Sequence, residues 1–289
     1  MLNRQKIVLV ILRLAGGTVS RTQLTKWAFL LAHESPNGGG GAFFDFVPYK
    51  YGPFSFSLYQ EVGKLVKQGL VREAGPSRWS ITRAGQEVVS KIGGVWLHDA
   101  RWVLRKYGDL DADALTLNVY ERYPWFTVNS EIDRRETRPI GSMAVYTAGY
   151  ERLSVDAFFN GLMKTGIKRL VDVRRNPVSR RYGFHRSTLR RIGGYLDVEY
   201  THLPELGIPS SSRVGLSSFE DYQDLLGRYE DGLLPEQAEG IESLSRLVQQ
   251  TPSVLVCMEA DPEWCHRSRL AAVIGEQASL PVRHLRLAA

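Results

Sequence analysis

The sequence predicts an α/β chain: a largely parallel sheet covered by helices in the C-terminal half, preceded by a smaller helical domain that ends in a two-stranded hairpin. Two observations lead there. Over 143–289, short apolar runs alternate with helical patterns, as strand–helix–strand units do. Over 1–92, three helical patterns precede two short strands joined by Ala74-Gly75-Pro76-Ser77. A length of 289 residues suits two such domains and a connector at 93–142.

In the first domain, Ile7, Leu9, Val10, Leu12 and Leu14 mark a helix closed by Gly16-Gly17. Ser20 is placed to cap a second helix over 21–33. A glycine run at 38–41 and Ser35-Pro36 break the chain. Ser55 or Ser57 starts a third helix, with Leu58, Val62, Leu65 and Val66 at helical spacing and Gly69 as its stop. Strands over 70–73 and 78–82 complete the winged-helix order, and 65–85 resembles the third helix and wing of winged helix-turn-helix proteins. Such a helix enters a DNA major groove, with the wing on the backbone. Lys64, Lys67 and Arg78, with Lys50 and Arg72, are the candidate contacts. A protein-interaction module would carry a similar basic face. The aromatic Tyr49-Lys50-Tyr51-Gly52-Pro53-Phe54 loop would either stack bases or plug a local core.

The connector carries helical patterns over 96–107 and 111–123, then a charged run and the linker-like Pro139-Ile140-Gly141-Ser142. Its aromatics, Trp96, Trp102, Tyr120, Tyr123 and Trp125, are expected to pack the two lobes together.

In the C-terminal domain, strands are predicted over 144–148, 168–173, 198–203, 253–258 and 282–287. Helices fall between them, one capped by Ser154, one over 187–196, others within 210–250 and one reaching about 277. The result is a three-layer, Rossmann-like sheet. Polar residues collect where strands end: Tyr150 after the first, Asp172, Arg174 and Arg175 after the second, His202 and Glu205 after the third, Cys257 and Glu259 after the fourth. Carboxyl ends of parallel strands share one edge, so these residues are expected to converge on one cleft. The stretch from Cys257 to Leu270 is the densest. An apolar strand delivers a thiol and a carboxylate to Asp261-Pro262, which reads as a helix N-terminus, with Cys265, His266 and Arg267 in its first turns.

The loop from Arg174 to Arg191 holds seven arginines and no acidic residue. Arg174, Arg175, Arg180, Arg181, Arg186 and, further on, Arg267 are read as phosphate contacts, since the guanidinium fork suits phosphate. Tyr150, Tyr182 and Phe184 are read as base-stacking rings.

Tyr146-Thr147-Ala148-Gly149-Tyr150, Leu170 to Pro177, Ser179-Arg180, Phe184, His202 to Gly207 and Cys257 to Arg267 together resemble the signature blocks of the domain of unknown function 488 family, over about 143–287. Gly149-Tyr150 stands where that family carries Gly-His. The resemblance implies the fold and the site rather than a reaction.

The chain has 37 basic and 31 acidic side chains, a net charge of +6, which suits a polyanionic partner. Two cysteines make no disulfide framework and point to a reducing compartment. The apolar stretch near the N-terminus is too short to span a bilayer and lacks a cleavage site, so a cytoplasmic protein without a membrane partner is expected. No metal and no cofactor is expected, because no Cys-x-x-Cys pair is present. A nucleophilic thiol at Cys257 or Cys265 is weighed below carboxylate chemistry. Glu259, then Asp172, with Glu205, His202, His266 and Cys257 around them, are the candidate catalytic groups. The expected function is a DNA-acting enzyme, a DNA glycosylase that cleaves the N-glycosidic bond of a base, modified or not. The alternatives are a winged-helix transcription regulator that senses a phosphorylated ligand and a nucleotide-processing hydrolase or transferase. The oligomeric state stays open.

Overall fold

A computed structural model describes residues 1–287, with only the backbone of Val95 described. The chain divides into two compact units, Met1–Thr137 and Arg138–Ala289.

The first unit runs α1 (Asn3–Leu14), β1 (Thr18–Ser20), α2 (Arg21–Glu34), β2 (Val47–Tyr49), β3 (Gly52–Phe54), α3 (Phe56–Lys67), β4 (Val71–Glu73), β5 (Arg78–Ile81), α4 (Arg83–Val89), α5 (Val95–Tyr107) and α6 (Ala112–Arg122). β1, β5 and β4 form an antiparallel sheet in that order. The predicted caps are in place: Ser20 Oγ accepts from Gln23 N at 3.1 Å, and Ser55 Oγ from Leu58 N at 3.2 Å. The aromatic loop is a hairpin of β2 and β3. Its Lys50 pairs with Glu131 at 2.7 Å. The 93–142 aromatics line the first unit's own core: Trp96, Trp102, Tyr123 and Trp125 pack against it and Tyr120 is buried. Glu34 ties α2 to α5 and α6. Burial opposes its charge, yet bonds from Tyr107, Lys106, Arg122 and Tyr123 hold its carboxyl down at about 2.

Lys26 of α2 is buried, and its amine donates to the Tyr51 carbonyl beneath the β2–β3 turn. Desolvation lowers its pKa from 10.5 to about 7. Between those values the unfolded chain binds more protons than the folded one. Stability therefore rises with pH across this window and is lost as pH falls toward 7. Lys26→Met should stabilise the first unit at pH 7, and its advantage over the wild type should shrink by about 2 kcal/mol by pH 9. Urea unfolding followed by tryptophan fluorescence at both pH values reads the gap, and a constant gap would remove the buried-amine explanation.

The second unit runs β6 (Val145–Gly149), α7 (Val155–Lys164), β7 (Arg169–Asp172), α8 (Arg186–Tyr195), β8 (Glu199–His202), α9 (Phe219–Arg228), α10 (Ala238–Gln250), β9 (Ser253–Cys257), α11 (His266–Ala278) and β10 (Val282–Leu285). The sheet order is β10-β6-β9-β7-β8, and every pairing is parallel. β9 occupies the centre, buried along its whole length. Val145, Val171 and Leu255 share one core with Leu225 of α9, Leu244 of α10 and Leu270 of α11. Alternate strand residues point to the opposite face, and α7 and α8 bury Phe158, Leu162, Leu189 and Ile192 outside that core. Among the described residues, no helix is long and apolar enough to cross a membrane.

Candidate active site

Register brings the strand ends together as expected. Gly149 lies opposite Cys257, while Asp172 lies opposite both Val256 and His202. Gly149 is required here by close approach. A Cβ at that position would sit 1.8 Å from the Glu259 carbonyl oxygen, so any side chain would push the loop after β9 off the sheet. Two backbone bonds to the Met258 carbonyl, from Tyr150 and Glu151, fasten the same loop.

Beyond Cys257 the loop carries Glu259 and reaches a short 3-10 turn, Pro262–Trp264, opened by Asp261, which accepts from Glu263 N at 2.9 Å. The long helix starts only at His266. The predicted start at Asp261-Pro262 is thus four residues early, because Cys265 is extended (φ −137°, ψ 134°) and interrupts the helical path. That kink turns the Cys265 thiol back toward Cys257.

Four side chains meet there. The thiols of Cys257 and Cys265 donate to Glu259 Oε2 at 3.1 and 3.0 Å. His266 Nδ1 lies 3.8 Å from each sulfur. Its Nε2 is 3.0 Å from the Val173 carbonyl, which can only accept, so Nε2 carries the proton and Nδ1 presents a lone pair to the thiols. Arg213 adds Nη1 to Glu259 Oε1 at 3.2 Å, and Tyr229 sets its ring edge-on to His266 at 5.4 Å. Both cysteines and His266 are buried.

The electrostatics follow from this crowding. Burial pushes the Glu259 carboxyl up, and the neighbouring Cys257 charge adds to it. The two thiols split: Cys257 is driven well down by its bond from Cys265 and by His266 and Arg213, while burial and the Cys257 charge drive Cys265 well up.

Other candidates take different places. Asp172 is fully buried and grips Arg174 in a fork, Nε to Oδ1 at 2.7 Å and Nη2 to Oδ2 at 2.6 Å. Tyr200 donates to the same carboxylate at 2.8 Å. Arg174 also donates to the Tyr150 hydroxyl at 2.8 Å and the Phe184 carbonyl at 3.0 Å. Its reading as a phosphate contact is therefore corrected, since all its donors point inward. Arg267 is corrected likewise: it is 1% exposed and clamps the carbonyls of Glu259 and Ala260. Tyr150 and Phe184 stack on each other, 4.1 Å apart and 9° from parallel, and both are buried, so neither face is open to a base. Tyr182 is half-buried. His202 donates Nε2 to the Arg174 carbonyl at 2.9 Å and shapes the loop rather than joining the thiol cluster. Glu205 packs its side chain near Gly240 of α10, away from the same cluster.

Arg175, Arg180, Arg181 and Arg186 remain on the surface, although Arg181 also donates to the Leu153 carbonyl at 2.7 Å. In the first unit Lys67 and Arg78 are exposed, and Lys64 is engaged by Glu61 at 3.0 Å. Sequence reasoning missed Arg213 and Tyr229. Arg213 follows a serine run in a long loop, and no local pattern marks it.

Residues 154–274 match the family model described as domain of unknown function DUF488. The match supports placing this part of the second unit in the DUF488 family. It takes in Asp172, the arginine loop, Arg213 and the Cys257–His266 cluster, and leaves β6 and β10 outside. No curated protein and no solved structure matches the chain.

Proposed function

We propose that the chain is an enzyme acting on DNA, and that its second unit cleaves the N-glycosidic bond between a base and its sugar. The placement of Glu259 carries the reading. Its carboxylate is only 13% exposed at the carboxyl end of the central strand, with thiol donors on one oxygen and Arg213 on the other. Glycosidic cleavage develops positive charge on the sugar, and a fixed carboxylate stabilises that charge or orients the attacking water. The backbone under Glu259 is held by Arg267 and by the packing on Gly149, so the group is set before substrate arrives.

The surface of the same unit supports a nucleic-acid substrate. The arginine loop leaves the sheet at Val173, whose carbonyl accepts a hydrogen bond from His266 Nε2, and carries exposed Arg175, Arg180 and Arg186. In the first unit, the order helix, strand, helix, hairpin, helix, hairpin, with exposed Lys67, Arg72 and Arg78, supports a winged-helix DNA-binding role.

Two measurements test this. Incubating modified and unmodified duplexes with the protein and then alkali turns abasic sites into strand breaks. Binding without breaks on any duplex would favour a regulator instead. The second measures DNA affinity against salt. Arg180→Ala with Arg186→Ala should flatten the log–log slope by about one unit per lost phosphate contact. An unchanged slope would show that these arginines face away from the nucleic acid.

A further inference from the structure

The sequence sets metal aside because its two cysteines form no Cys-x-x-Cys pair and are separated by a strand end and a helix start. The fold removes that objection. Cys257 at the end of β9 and Cys265 before α11 face each other across the 3-10 turn, and His266 closes the third side. The two sulfurs and a ring nitrogen all lie within 4.8 Å of one another, and all three residues are buried. We propose that Cys257, Cys265 and His266 bind one zinc ion beside Glu259.

The distances suit that ion. Zinc bonds of ~2.3 Å to sulfur and ~2.0 Å to nitrogen, at tetrahedral angles, put sulfur and nitrogen roughly 3.6 Å apart. The two sulfur–nitrogen separations are both 3.8 Å, so a metal fits with small side-chain adjustments. The ligand set is two thiolates and an imidazole, which favours zinc over hard, oxygen-seeking cations. The imidazole is already oriented. Its Nε2 proton is anchored on the Val173 carbonyl, which fixes the tautomer and aims Nδ1 at the sulfurs, the outer-shell arrangement usual for a ligating histidine.

Charge makes the same point. Two thiols and a carboxylate are packed within about one hydrogen-bond length, and Arg213 is the cation bonded to this carboxylate. A divalent ion together with Arg213 balances two thiolates and the Glu259 carboxylate. Glu259 Oε2, 3.0–3.1 Å from both sulfurs, borders the fourth position, which is left for Glu259 itself or for water.

The test uses the full chain, purified under reducing conditions, stripped with chelator and reconstituted with Zn2+. Elemental analysis should give one zinc per chain. Titration with Co2+ should produce thiolate-to-cobalt charge-transfer bands in the near ultraviolet and the intense visible bands of a tetrahedral ion. Cys257→Ser, Cys265→Ser and His266→Ala should each weaken the metal by at least about a hundredfold, beyond the range for an outer-shell partner. Circular dichroism of each variant separates ligand loss from misfolding. A wild-type chain that takes up no stoichiometric zinc, or a cobalt complex without thiolate bands, overturns the proposal whether or not the protein cleaves DNA. A well-folded variant of any of the three residues with unchanged affinity overturns it too. Lack of activity on DNA with zinc bound would instead count against the glycosidic reading alone.

Discussion

Glu259→Gln should lower product formation by on the order of a hundredfold or more while leaving DNA affinity within about threefold. Glutamine keeps the size and much of the hydrogen-bonding shape of the side chain but carries no charge. In the proposed reaction the carboxylate acts on charge that develops in the transition state, so its loss would affect turnover and spare ground-state binding. Arg213 sharpens the expectation. With a neutral amide at 259, its guanidinium loses the charged partner 3.2 Å away and becomes an uncompensated cation beside the proposed reaction centre. Single-turnover kinetics on a preformed complex, beside an equilibrium binding assay, separate the two effects. Full activity in Glu259→Gln combined with its loss in Cys257→Ser or Cys265→Ser would shift the chemistry from the carboxylate to the thiols, as nucleophile or as metal ligands.

Why Glu259 was readable and Arg213 was not is a matter of range. Each strand of the second unit is a short apolar run with breakers on both sides, so its end can be located from local pattern, and parallel pairing brings the ends to one edge. Cys257, Glu259 and Asp172 were found that way. Arg213 and Tyr229 reach the cluster from a long connection between β8 and β9, where approach is decided by tertiary packing and the sequence has no period to show it.

The two arginine corrections share one physical cause. An arginine at a strand end is expected to face outward, because burying a guanidinium is costly. Arg174 is two residues past Asp172 and folds back on it, and three acceptors repay the burial. Arg267 is buried for a similar reason, with two carbonyls of the Glu259 loop as its acceptors. The rings of Tyr150 and Phe184 are likewise satisfied by each other. In the first unit, the helices of the 93–142 stretch are legible, but their aromatics, expected to pack the two lobes together, line the first unit's own core.

Asp172→Asn should be the most destabilising of these substitutions in the second unit, costing about 3–5 kcal/mol, the usual result of removing one partner from a buried ion pair. Asparagine preserves the volume but leaves Arg174 charged, buried and short of its counter-ion. Burial disfavours that charge, and it is the hydrogen bonds and charge of Asp172 that raise the Arg174 pKa above its ordinary value. Tyr200 loses a charged acceptor in the same step. For a unit of this size the fall in Tm should be roughly 10 °C or more. Arg174→Met provides the control. It removes the other charge, so Asp172 is the group left exposed to an apolar setting, and the Asp172→Asn, Arg174→Met double variant should be more stable than either single one. Thermal melts of the four proteins complete the cycle. Additive losses would mean that the pair is not coupled, and that the contacts of Arg174 with Tyr150 and Phe184, rather than its charge, hold the loop that begins beside His266.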